Sequence, residues 1–130
     1  MSVEYAIKLI SHLREGMEDY VGFWEIVRDA NELSQDSLNF ESKKEIALQM
    51  VHDLVAGGHM KLGDLKRIEG TNFEEVVPWE LELDDMIRRI ELEWKELGRE
   101  PYMWEICFLE TTEEGKQALQ DGGLEYRGNG

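Results

Sequence analysis

Val3, Ala6, Ile7, Ile10 and Leu13 recur at spacings of three and four, the period of one helical face, so the chain opens with a helix that ends near Gly16. A second helix is expected from about Tyr20 to Leu33 with Trp24, Val27 and Ala30 inward, followed by a polar loop at Ser34-Gln35-Asp36-Ser37. From Phe40 to Ala56 the apolar positions Ile46, Ala47, Met50, Val51, Leu54 and Val55 form the clearest amphipathic stretch, and Gly57-Gly58 supplies a left-handed stop. His59 to Leu62 reads as a short strand, Gly63-Asp64 as a turn, and Leu65 to Ile68 as a continuation.

Gly70-Thr71-Asn72 and Pro78 predict irregular structure up to about Leu81. Met86, Ile87, Ile90 and Trp94 then mark a fourth helix closed by Gly98. After Pro101 the run Met103 to Leu109 alternates, with Trp104, Ile106 and Phe108 on one side, and predicts a strand. Thr111, three residues before Glu114, is a capping-box start for a last short helix through Leu119, and Thr112 is an alternative cap. The pattern is that of an α+β protein, mainly helical with a small antiparallel sheet. It forms a single domain over residues 1–120 with a flexible tail over 121–130.

Composition bounds this picture without changing it. A chain of 130 residues buries roughly two thirds of its unfolded surface and needs no metal or disulfide to fold. Its 42% hydrophobic content, with four each of Trp, Tyr and Phe, supplies a core despite 33% charged residues. Cys107 is the sole cysteine, which rules out an internal disulfide and points to a reducing cytoplasm. Glu4, Lys8 and His12 interrupt the first apolar segment, so it is not a signal-peptide core, and no run is long enough for a membrane span. The expectation is a soluble cytoplasmic protein with no membrane contact.

The charge is strongly one-sided. The formal net charge is -15, and residues 69 to 85 hold Glu69, Glu74, Glu75, Glu80, Glu82, Asp84 and Asp85 with no Lys or Arg. Phosphate binding needs clustered Lys and Arg, so the sign argues against nucleic acid and for a basic protein partner. Inside the acidic run, Trp79 stands next to Pro78. An aromatic ringed by acids suits a basic surface as an anchor, and Trp79 also suits the plainer task of pinning this segment to the core. The expected partner-binding set is therefore Glu74, Glu75, Trp79, Glu80, Glu82, Asp84 and Asp85.

Catalytic and metal chemistry find little footing. His12, His52, His59 and Cys107 show no metal-ligand spacing, and His52 reads as a solvent-facing histidine. Asp84-Asp85 or Glu91 with Glu93 could pair for acid-base work or a hard cation, but Glu91 is also spaced to pair with Lys95 along a helix. With no phosphate loop, serine elbow or Cys/His nucleophile arrangement, the expectation is a protein that is not an enzyme and uses no cofactor.

The order helix, helix, long helix ending in Gly, short strand, then a later strand leading into a Thr-x-x-Gly helix start resembles the winged-helix fold. Two patches carry the resemblance: Leu54-Val55-Ala56-Gly57-Gly58-His59-Met60, and Leu109-Glu110-Thr111-Thr112-Glu113-Glu114-Gly115 with Leu119 beyond it. The second is similar to the Leu-Thr-x-x-Gly sequence that follows the wing in PadR-like and MarR-like regulators. Thr112 and Gly115 match it, while Thr111 stands where those families carry Leu. The resemblance implies a third helix in the major groove and a hairpin on the DNA backbone, both basic. Here roughly 35 residues, holding the acidic run and an extra helix, lie between the two candidate strands where a wing would be short. Only Lys43, Lys44, Lys61, Lys66 and Arg67 concentrate positive charge a DNA reader could use, and they read more readily as a solvated helix face and strand edge. The sequence thus favours a winged-helix-like, acidic protein-binding module, one form of which is an immunity protein neutralising a basic toxin nuclease. The alternative is a dimeric winged-helix regulator using Lys43, Lys44 and Lys61, and homodimer formation is left open.

Overall fold

The computed structural model describes residues 3–34 and 40–122. Its elements run α1 (Val3–Glu18), β1 (Val21–Gly22), α2 (Phe23–Leu33), α3 (Phe40–Ala56), β2 (Met60–Arg67), β3 (Glu74–Pro78), α4 (Leu83–Leu97), β4 (Phe108–Thr111) and α5 (Glu113–Asp121). This is an α+β fold in which the helices pack on one small, wholly antiparallel sheet of order β1-β4-β2-β3. Most of the predicted 34–37 loop and of the predicted tail fall outside the described residues. Among the described residues no helix is long and apolar enough to cross a membrane.

The buried face of α1 is rotated from the one its apolar spacing predicts, with Leu13 buried as expected and Ala6 and Ile10 half-buried. Tyr5, Leu9, His12, Leu13 and Gly16 are buried, whereas Val3 and Ile7 are 75% and 58% exposed. Polar partners decide the rotation: His12 Nε2 lies 2.6 Å from Asp29 Oδ2 of α2, and the Tyr5 hydroxyl donates to Asp53 of α3. At the end of α1, a Cβ on Gly16 would stand 2.6 Å from Thr111 Oγ1, so glycine is what lets the helix touch β4. Thr111 Oγ–H completes the contact by donating to the Leu13 carbonyl at 2.7 Å.

The second helix starts later than its pattern predicts, because Val21 and Gly22 are taken by β4 in the pairs Val21↔Leu109 and Gly22↔Phe108. Glu25 closes the new start by accepting the Gly22 N–H at 2.9 Å. Phe23, Ile26, Val27 and Ala30 are buried, while Trp24, expected inward, is half-buried. Helices α3 and α4 stand where the sequence places them. Gly58 (φ 78°) and Gly98 (φ 68°) end them in the left-handed region, donating to the carbonyls of Val55 and Lys95. One hydrophobic cluster joins Leu9, Leu13, Phe23, Ile26, Met50, Leu54, Leu62, Ile90, Trp94 and Leu109, with the rings of Phe23 and Trp94 edge to face at 5.4 Å.

Gly63-Asp64 is not a turn, and residues 74–78 are not irregular. β2 runs unbroken through Gly63 and pairs on both sides, with β4 (Met60↔Thr111, Leu62↔Leu109) and with β3 (Asp64↔Val77, Leu65↔Val76). A Cβ on Gly63 would fall 1.9 Å from the Val77 carbonyl oxygen, so the glycine serves close strand approach rather than reversal. The reversal comes instead at 68–73, where the Ile68 N–H donates to the Phe73 carbonyl and Gly70 has φ 81°. β3 is an edge strand, which is why it tolerates Pro78.

The insertion between β2 and β4 therefore supplies both a strand and a helix. The strand predicted over 103–109 is shorter and later, Phe108–Thr111; the residues before it form a tight loop described below. Thr112 caps α5, its Oγ1 accepting the Gly115 N–H at 3.1 Å, while Thr111 is spent on the Leu13 contact.

Candidate interaction surface

Where α1 ends, the chain turns through Asp19 and Tyr20 into β1, and this brings the last turn of α1 against the start of β3. A hollow of about 290 Å³ forms there, lined by Met17, Glu18, Asp19, Tyr20, Asn72, Phe73, Glu74, Glu75 and Glu110. A second, of about 240 Å³, shares Asp19 and Tyr20 and continues over Glu15, Gly22, Trp24, Glu25, Met103, Trp104 and Phe108. Every charged residue lining either hollow is acidic. Phe73 and Trp104 stand on this face 73% and 62% exposed, with Met103 beside them. The rings of Tyr20, Trp104 and Phe108 form a triangle with centroid separations of 5.6 to 6.3 Å, within the range of aromatic pairing.

The loop that presents Trp104 is held by a small set of bonds. Glu105 accepts both Arg99 Nη groups, at 2.8 and 2.9 Å, and the Tyr102 N–H at 2.6 Å. The Arg99 hydrogen bonds, then the Tyr102 amide, hold the Glu105 carboxyl down at about 2. The Glu105 N–H donates to the Tyr102 carbonyl, which places Trp104 (φ 74°) at the third position of a tight turn, where Gly or Asn is usual. The Cys107 N–H then donates to the Glu105 carbonyl across Ile106 (φ 73°), a γ-turn of the rare, strained kind on a β-branched residue. The alternation of Trp104, Ile106 and Phe108 imitates a strand, but these turns send Trp104 to solvent and leave Phe108 against Tyr20.

Electrostatics on this face follow first from burial and then from neighbouring like charges. Burial, and then the hydrogen bond and charge of Glu25, push Glu15 up to about 8. Burial, with Glu74 and Asp19 nearby, raises the Tyr20 phenol. The Cys107 thiol is raised well above its ordinary value by burial, which removes its reactivity as a thiolate. Among the described residues no three His, Cys, Asp or Glu are grouped to hold a metal ion.

No family model, no curated protein and no solved structure matches this chain.

The residues expected to bind a partner do not form one patch. Glu74 and Glu75 line the first hollow. Trp79 is buried at 6% exposure, with its indole N–H on Asp64 Oδ1 at 3.0 Å and the Arg89 guanidinium 3.8 Å from its ring centre. It is not an exposed anchor; it pins β3 and α4 to the core. Glu80 and Glu82 are exposed in the link to α4, and Asp84 and Asp85 occupy its first turn, where the helix dipole favours them. Asp85 meets Arg88 at 3.0 Å, and Asp84 borders a separate groove between α3 and α4 that also holds Arg88 and His52. Glu91 pairs with Lys44 at 3.5 Å, across to α3. Sequence reading missed Glu15, Glu18, Asp19, Glu25 and Glu110, which join Glu74 and Glu75 only in space. The available signals were the aromatics Tyr20 and Phe73, each adjacent in sequence to acids or polar residues.

Proposed function

We propose that this protein is a binding module for a basic protein surface, engaged through the paired hollows at the α1–β3 and loop 99–107 face. The observation that carries the reading is the single sign of charge lining both hollows, set around exposed Phe73, Met103 and Trp104. Acid rims orient a basic partner and speed its approach, while desolvated aromatic contact supplies the affinity. An immunity protein that covers the phosphate-binding surface of a toxin nuclease is the most demanding form of this reading, because its acids stand in for phosphates.

Two contacts support a winged-helix reading of the frame. Thr112 Oγ–H donates to the Gly58 carbonyl at 2.6 Å and the Thr112 N–H to the His59 carbonyl at 2.9 Å, which joins the two resembling patches. The β4 strand also lies between β1 and β2, the place of a wing's returning strand. The lysines a DNA reader would use argue against that role, since each has a carboxylate beside it: Lys43–Glu100 at 3.9 Å, Lys44–Glu91 at 3.5 Å and Lys61–Glu110 at 3.4 Å.

The test is affinity capture from host lysate at low and moderate salt, with a Glu18→Lys, Glu74→Lys, Glu75→Lys variant alongside. A basic protein retained by the native chain, released by salt and lost from the variant is the expected result. Equal retention by the variant, or recovery of specific DNA, would overturn the proposal.

A further inference from the structure

The following rests on the reading of the acidic face as a docking surface for a basic protein, and it names the chemical group that face selects. Among the described residues three guanidinium groups lie over aromatic rings: Arg89 at 3.8 Å from the Trp79 centroid, Arg99 at 3.9 Å from that of Tyr102, and Arg28 at 5.2 Å from that of Trp24. Each also meets a carboxylate, Arg89 with Glu93 at 2.7 Å, Arg99 with Glu105 at 2.8 Å and Arg28 with Asp29 at 3.9 Å. A ring face beside a carboxylate is thus the setting in which this chain seats its own arginines.

The second hollow repeats that setting at Trp104, with no Lys or Arg among its lining residues; Arg28 lies over Trp24, another of its lining residues. Trp104 presents its ring 62% exposed, Tyr20 and Phe108 flank it at 6.3 and 6.1 Å, and Asp19 and Glu25 supply the carboxylates of the wall, beside Glu15, which burial and Glu25 push up to about 8. We infer that this hollow takes an arginine side chain of the basic partner, its guanidinium stacked on Trp104 and its N–H groups on the carboxylate wall. Guanidinium fits both halves of the site, being planar, weakly hydrated and forked. A lysine ammonium is compact and strongly hydrated, gains from the carboxylates, and gains less from the ring. The strained turns at Trp104 and Ile106 have a consequence in this setting: they hold the indole outward where a relaxed strand would not.

The experiment compares tetra-arginine and tetra-lysine peptides of equal charge, titrated into the isotopically labelled protein while the indole N–H resonances are followed. The Trp104 indole is expected to shift with tetra-arginine, which binds roughly tenfold more tightly than tetra-lysine. Trp104→Ala and Trp104→Leu should bind the two peptides equally, and Trp104→Phe should restore the preference; the exposed position keeps all three variants folded. Equal binding of the two peptides to the native protein sinks the arginine pocket and leaves the acidic docking surface standing. No binding of either sinks both, and an arginine preference that survives Trp104→Leu shows the pocket to be elsewhere.

Discussion

His12 and Asp29 are a hydrogen-bonded pair placed where two helices meet, 2% and 7% exposed, and they set the rotation of α1. Burial alone would raise the Asp29 carboxyl, but the hydrogen bond with His12 and the neighbouring Lys8 and Arg28 bring it below its ordinary value. A carboxyl lowered on folding stabilises above its unfolded value and loses that contribution as pH falls through the folded one. Asp29→Asn should therefore cost about 2–4 kcal/mol at neutral pH, read as a lower urea midpoint, and the difference from the native protein should shrink below pH ~4. An unchanged midpoint at pH 7 would mean the pair does not hold α1 to α2. Nothing in the sequence marks this pair, because a histidine and an aspartate on amphipathic helices read as surface. That is why Val3 and Ile7 look like the buried face and are not.

At the scale of elements, legibility depended on what ended each one. α3 and α4 have long apolar repeats closed by Gly58 and Gly98, and both are where their patterns place them. β2 and β3 were obscured by Gly63, Asp64 and Pro78, which are turn residues by composition. Here they serve a central strand in close approach and an edge strand. The open edge of β3 is guarded: the ladder bonds at Phe73 and Trp79 leave the Val76 N–H facing outward, and the Glu110 carboxylate accepts it at 3.2 Å. Gly63→Ala tests this arrangement, since its methyl would meet the Val77 carbonyl. The expected loss is about 2–4 kcal/mol, with faster hydrogen exchange at the Trp79 amide that bonds Leu62. Exchange unchanged at Trp79 would place the strain somewhere other than the β2–β3 ladder.

For the molecule as a whole, the net charge of -15 was plain in the sequence, but its useful distribution was not. Counting along the chain singles out residues 69–85, whereas folding divides that run between two faces and adds acids from the end of α1 to one of them. Self-repulsion on this scale weakens the compact state, and salt relieves it as the screening length falls from about 30 Å at ~0.01 M to about 8 Å at ~0.15 M. The thermal midpoint should rise over that range by roughly 4 °C for each kcal/mol of repulsion removed. A fall would mean that exposed pairs such as Lys8–Glu32 and Arg88–Asp85 outweigh the repulsion. The sheet order carries one more consequence. β4 is the last of the four strands along the chain, yet it sits between β1 and β2 and takes the end of α1 through Thr111. While the polypeptide leaves the ribosome, β1 has no strand to pair with and α1 has no seat on the sheet until Phe108 to Thr111 emerge. A nascent chain stalled before that point leaves β1 unpaired and α1 held by its contacts to α2 and α3, so completion of the sheet waits on its fourth strand.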